Sequence, residues 1–103
     1  MRPPVLGESE VIEALDAPDG PGWHLVGGKL TKTVDCRDFV GALAFVSRVG
    51  ELAEAADHHP DIDIRYNRVT LALVTHDAGG ITRLDLELAR AVDGVDPGQP
   101  EPG

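Results

Sequence analysis

Two adjacent histidines, His58 and His59, stand between Asp57 and Pro60, and a third, His76, lies at the far end of the next apolar stretch. Imidazole is the side chain whose unperturbed pKa lies near neutrality, so it can both give and take protons there. Pro60 disfavours the α region for His59, so a helix entering this segment must end at or before the pair. A hairpin built from the residues that follow would carry His76 back toward His58 and His59. Three imidazoles among the carboxylates of Glu54, Asp57 and Asp77 form a set suited to acid–base chemistry.

The elements needed to position these rings can be read from pattern. Residues 38–56 carry apolar groups at Phe39, Leu43, Val46, Val49, Leu52, Ala53 and Ala56, a helical period, with Asp35 or Asp38 as its cap. Gly41 and Gly50 inside it each cost roughly 1 kcal/mol relative to Ala, which suggests close approach to other backbone. Ile62 and Ile64 alternate with Asp61, Asp63 and Arg65, a strand pattern. Tyr66-Asn67-Arg68 is the expected turn, with Asn67 at positive φ and Tyr66 packing on the sheet. Residues 69–76 form the most apolar strand, expected at the centre of its sheet.

Upstream, residues 8–15 read as a short helix capped by Ser9, with Val11, Ile12 and Leu15 as its stripe. Residues 23–26 and 29–34 read as two strands joined through Gly27-Gly28. Downstream, Thr82-Arg83-Leu84-Asp85 reads as a capping box opening a last helix that buries Leu84, Leu88, Ala91 and Val92. That box accounts for Asp85 as a structural residue. The order is αββαββα, an α+β fold with a four-stranded antiparallel sheet and helices on one face. Residues 1–93 make one domain, and the acidic Pro- and Gly-rich residues 94–103 are expected to be disordered. The open sheet edges suggest a homodimer or homotetramer paired strand to strand.

Composition excludes several classes. The chain has 103 residues and a net charge of −9, which argues against nucleic acid and against an anionic membrane surface. No stretch is apolar for long enough to span a bilayer, and no secretory signal is evident. Cys36 is the only cysteine, so neither an internal disulfide nor a thiolate metal cluster can form, and its role is that of an inert small residue. The expected compartment is the cytoplasm. His24 reads as a surface residue.

The chain resembles the pterin-4a-carbinolamine dehydratase family. The shared pattern is Glu-x3-His-His-Pro, then an aromatic, a His and an Asp at family spacing: Glu54, His58, His59, Pro60, Tyr66, His76 and Asp85. Gly22-Trp23, Asp38-Phe39 and the stretch 45–49 are also similar. The resemblance implies dehydration of 4a-hydroxytetrahydropterin to quinonoid dihydropterin, in support of tetrahydrobiopterin recycling, with no metal and no organic cofactor. It implies that His58 and His76 protonate the departing hydroxyl, while His59 binds the pterin and accepts a proton. It further implies a pocket lined by Asp57, His58, His59, Val74, Thr75, His76 and Asp77, with Trp23 at its wall and Glu54 and Pro60 in support.

Two other readings compete. Three imidazoles with Asp57 or Asp77 could coordinate zinc, although metal sites favour histidines one helical turn apart and adjacent ones diverge. The family fold also serves non-catalytic partner-binding, assembly or coactivator proteins, and retention of all three histidines argues for activity. Glu54 could simply be a solvated helix face, or it could orient a histidine. Trp23 could equally be plain core.

Overall fold

In a computed structural model, the described residues are 3–16 and 22–97. They form α1 (Glu8–Asp16), β1 (His24–Val26), β2 (Lys29–Asp35), α2 (Phe39–Ala56), β3 (Asp61–Arg65), β4 (Arg68–Leu73) and α3 (Arg83–Asp93). The strands make one antiparallel sheet in the order β1-β2-β4-β3. The expected αββαββα order and an interior position for β4 are both observed.

Register explains which face is buried. Leu30 pairs with Leu73 and Val34 with Val69, while Ile62 pairs with Leu71 and Ile64 with Val69. Directly paired residues share a face, so these apolar groups form one surface. Val69, Leu71, Leu73 and Leu30 are buried there, each contributing about 1.5–3 kcal/mol. They join Phe45 and Val49 of α2 and Leu88 and Val92 of α3 in one core. The opposite face is polar; Thr33 and Thr70 share a hydroxyl–hydroxyl bond of 2.9 Å across it. The β1–β2 turn uses Gly27 and Gly28, both at positive φ, as a two-residue hairpin requires.

Several local expectations are corrected. The buried face of α2 is Ala42, Phe45, Val49 and Ala53, whereas Phe39 and Leu43 are exposed. This helix is apolar nearly all round its first half, so periodicity alone did not select the face. A Cβ placed on Gly50 would meet nothing within 4 Å, so close backbone approach is not its reason. In α3, Asp85 and Ala89 are buried while Ala91 is exposed.

Ser9 lies inside the first turn of α1 rather than capping it; Glu10 Oε1 instead accepts the Gly7 N–H at 2.9 Å. Tyr66, not Asn67, takes the positive φ, because Asn67 is held elsewhere. Its side chain donates to the Cys36 carbonyl at 2.9 Å, and its carbonyl accepts the Cys36 N–H at 2.7 Å. Tyr66 is exposed instead of packing on the sheet. Strand β4 ends at Leu73, and only an isolated bridge between Thr75 and Gly80 continues the pairing. Val95 packs against the core. Residues 98–103 of the expected tail lie outside the described residues.

Candidate active site

The end of α2 sets the first two imidazoles. Asp57 adopts a left-handed conformation with φ 51°. Its N–H bonds the Glu54 carbonyl at 3.1 Å, and the His58 N–H bonds the Ala53 carbonyl at 3.0 Å. This pair of bonds is a Schellman closure, with Asp in the position usually taken by Gly. It turns the chain sharply, and Pro60 prevents the helix from resuming.

The two adjacent rings therefore leave in different directions. His58 points inward, and its Nε2 lies 2.5 Å from Asp85 Oδ1. Its side chain is 10% exposed and that of Asp85 is fully buried. His59 points back along the helix, where Nε2 meets Glu54 Oε1 at 2.7 Å in an exposed pair. Glu54 thus contacts His59 at the surface.

Asp85 joins the helix cap to the imidazole. Thr82 caps α3, and Asp85 completes a capping box in its first turn. Asp85 Oδ2 accepts from the Thr82 N–H at 2.9 Å and from Thr75 Oγ1 at 2.8 Å. Because Thr75 gives its one proton to Asp85, the 2.7 Å contact between the two threonine hydroxyls must run from Thr82 to Thr75. With Oδ2 taking two donors, Oδ1 is left for His58. An ionised carboxylate only accepts, so the His58 ring donates through Nε2–H. Nδ1 has no partner among the described residues, and no buried side-chain polar atom among them lacks one. Nδ1 therefore keeps some access to solvent.

The third ring is held by a tight turn. The Thr75 N–H bonds the Gly80 carbonyl at 3.0 Å, and the Gly79 N–H bonds the Thr75 carbonyl at 2.9 Å. Gly79 has φ 80°, which a side chain would resist. His76 and Asp77 sit on this turn, both exposed. The His76 carbonyl accepts the Gly79 N–H at 3.1 Å, while its imidazole ring has no hydrogen-bond partner among the described residues. Its charge acts weakly on Asp61, whose carboxyl is held below its ordinary range chiefly by a hydrogen bond from Lys29.

These pieces meet at one open cavity of about 460 Å³, lined by Asp57, His58, His59, Val74, Thr75, His76, Asp77, Pro3 and Leu84. That volume lies within the range typical of small-molecule sites. The seven residues expected to line a pocket are thus gathered at one place. Trp23 is not among the lining residues. It is buried, and its indole Nε1 donates to Asp93 Oδ1 at 2.9 Å, an oxygen shared with Lys32 Nζ at 2.8 Å. The Trp23 ring instead ties the residue just before β1 to the far end of α3. Pro60 is partly buried just beyond the pair.

Sequence reasoning left three contributors out of the pocket. Pro3 and Leu84 carry no chemical signature. Asp85 had one, its place in the shared motif, but the capping box explained it too well. A carboxylate has two oxygens, and one of them was unaccounted for. Among the described residues, no group of three or more His, Cys, Asp or Glu side chains is arranged to hold a metal ion.

The fold and sequence have known relatives. Residues 4–95 match the family described as Pterin 4 alpha carbinolamine dehydratase. A protein of Chloroflexus aurantiacus, provisionally named pterin-4-alpha-carbinolamine dehydratase, is 52% identical over 92 residues, covering 89% of this chain and 97% of its own. The crystal structure of a transcriptional coactivator/pterin dehydratase from Brucella melitensis superposes with TM-score 0.78 at 41% identity, covering 86% of this chain and 95% of that one. A pterin dehydratase-like protein described as a RuBisCO assembly factor in the alpha-carboxysome shares the fold alone, with TM-score 0.56 at 21% identity over 76% of this chain and 96% of that one. With the family pattern matched over nearly its whole described length, the chain belongs to the pterin-4a-carbinolamine dehydratase family.

Proposed function

We propose that the protein eliminates water from 4a-hydroxytetrahydropterin to give quinonoid dihydropterin, and so serves tetrahydrobiopterin recycling. The observation that carries this reading is the meeting of three imidazoles at one cavity, one of them fixed by a buried carboxylate. Hydroxide is a poor leaving group. As the carbon–oxygen bond breaks, the oxygen must gain a proton, and a ring nitrogen of the pterin must lose one. His58, with Nε2–H held by Asp85, can carry a second proton on Nδ1 and deliver it to the oxygen. His76, whose ring has no hydrogen-bond partner among the described residues, is the other protonating group. His59 binds the pterin and accepts the ring proton, with Glu54 orienting it. Such acid–base help is typically worth about 10²- to 10⁴-fold. The reaction needs no metal and no organic cofactor.

The same reading takes the protein as a homodimer or homotetramer paired through sheet edges, with the cytoplasm as its compartment. No helix among the described residues is long and apolar enough to cross a membrane. A second reading, a non-catalytic partner-binding, assembly or coactivator protein, is favoured by the exposed apolar side chains Phe39, Val40 and Leu43 on α2. Stopped-flow decay of 4a-hydroxytetrahydropterin separates the two. Decay well above the uncatalysed rate supports the dehydratase; a rate equal to the uncatalysed one rejects it.

A further inference from the structure

The N-terminal segment 3–6 runs beside the loop that carries His76. Leu6 donates its N–H to the Ile81 carbonyl at 2.8 Å, and its side chain packs against the core. Val5 lies directly on Gly80: a Cβ built on Gly80 would come within 2.8 Å of Val5 Cγ1. Gly80 is not at positive φ, so close approach by Val5 is what distinguishes this position. Two contacts thus fix the segment, and they bring Pro3 to the rim of the imidazole cavity.

The cavity lining divides in two. Asp57, the three histidines, Thr75 and Asp77 are polar, whereas Val74, Leu84 and Pro3 are apolar. A flat bicyclic heteroaromatic needs hydrogen-bonding groups at its edge and apolar cover elsewhere. Proline, a rigid ring with no backbone N–H, gives such cover without an unpaired donor. We propose that Pro3 is a substrate-contacting residue, and that the Val5–Gly80 and Leu6–Ile81 contacts hold it as one wall of the pterin site. This rests on the dehydratase reading for the identity of the ligand. The wall contributes affinity and no proton, so its loss is read chiefly in binding.

The test uses an unreactive pterin titrated calorimetrically into the full chain, with stopped-flow turnover in parallel. Pro3→Ala removes most of the ring, and we expect about a three- to tenfold weaker Kd, a larger change than any in kcat. Gly80→Ala pushes Val5 outward and should weaken binding to a similar degree. Because Gly80 also pairs with Thr75, Gly80→Ala alone could disturb the catalytic loop. The double variant Gly80→Ala/Val5→Ala relieves the clash and should restore binding. Parent-like Kd in Pro3→Ala, or no recovery in the double variant, overturns the wall. A parent that binds no pterin overturns the dehydratase reading and the wall together.

Discussion

Asp85→Asn tests the link between the helix cap and the imidazole. The amide keeps one carbonyl oxygen, which can stay at the Oδ2 position and accept from Thr75 and Thr82. Its NH₂ group then faces His58 where Oδ1 stood. Two donors cannot face each other, so the ring must change tautomer, accept at Nε2 and carry its one proton on Nδ1. The number of hydrogen bonds is conserved, but a charge-assisted bond becomes a neutral one. We expect a stability loss of about 1–2 kcal/mol. The ring can no longer hold a proton on both nitrogens, so the acid role of His58 is lost. We expect kcat to fall about 10²-fold, the low end of the range for a positioned acid, with KM within about threefold.

Asp85→Ala is the harsher and less informative change. It orphans three donors, each costing roughly 1–3 kcal/mol if left unpaired, out of a total of about 5–15 kcal/mol for a domain. Urea unfolding followed by circular dichroism gives the stability term, and stopped-flow turnover gives the kinetic one. Folded Asp85→Asn protein with parental kcat would refute the reasoning.

Two predictions concern the scaffold. Gly50→Ala, placed in open space inside α2, should stabilise the protein by about 0.5–1 kcal/mol, read as a higher urea midpoint; a lower midpoint would mean that the glycine has a packing role. Lys29 holds the Asp61 carboxyl below its ordinary range, so the pair supports folding above about pH 3.8. That support is lost as pH falls through the lowered folded-state value. Both side chains are more than a third exposed, so Asp61→Asn should cost under about 1 kcal/mol at neutral pH. Its acid unfolding limb should be shallower than the parent's, and equal limbs would contradict the pairing.

The elements were legible because most carry a strong local signal. The Thr82 capping box, the Gly27-Gly28 turn and the alternation of Ile62 and Ile64 each determine backbone conformation within a few residues. The gathering of Asp57, His58, His59, Val74, Thr75, His76 and Asp77 followed from the shared motif and from hairpin return. Less legible was anything decided by tertiary choice. Helix α2 offers apolar groups on several faces, and only packing on β4 and α3 selected Ala42, Phe45, Val49 and Ala53. Asn67 was drawn to Cys36, which left Tyr66 to take the left-handed position. Trp23 found Asp93, a partner 70 residues away that no local pattern announces. Asp85 serves two elements at once, and a local motif describes only one of them.

The most direct measurement is single-turnover decay of 4a-hydroxytetrahydropterin with the parent, His58→Ala, His76→Ala and His59→Ala, together with pterin affinity for each. Turnover is expected to fall about 10²-fold or more for His58→Ala and His76→Ala, and His59→Ala should affect binding more than turnover. Parental rates in all three variants would contradict this and place the chemistry outside this cavity.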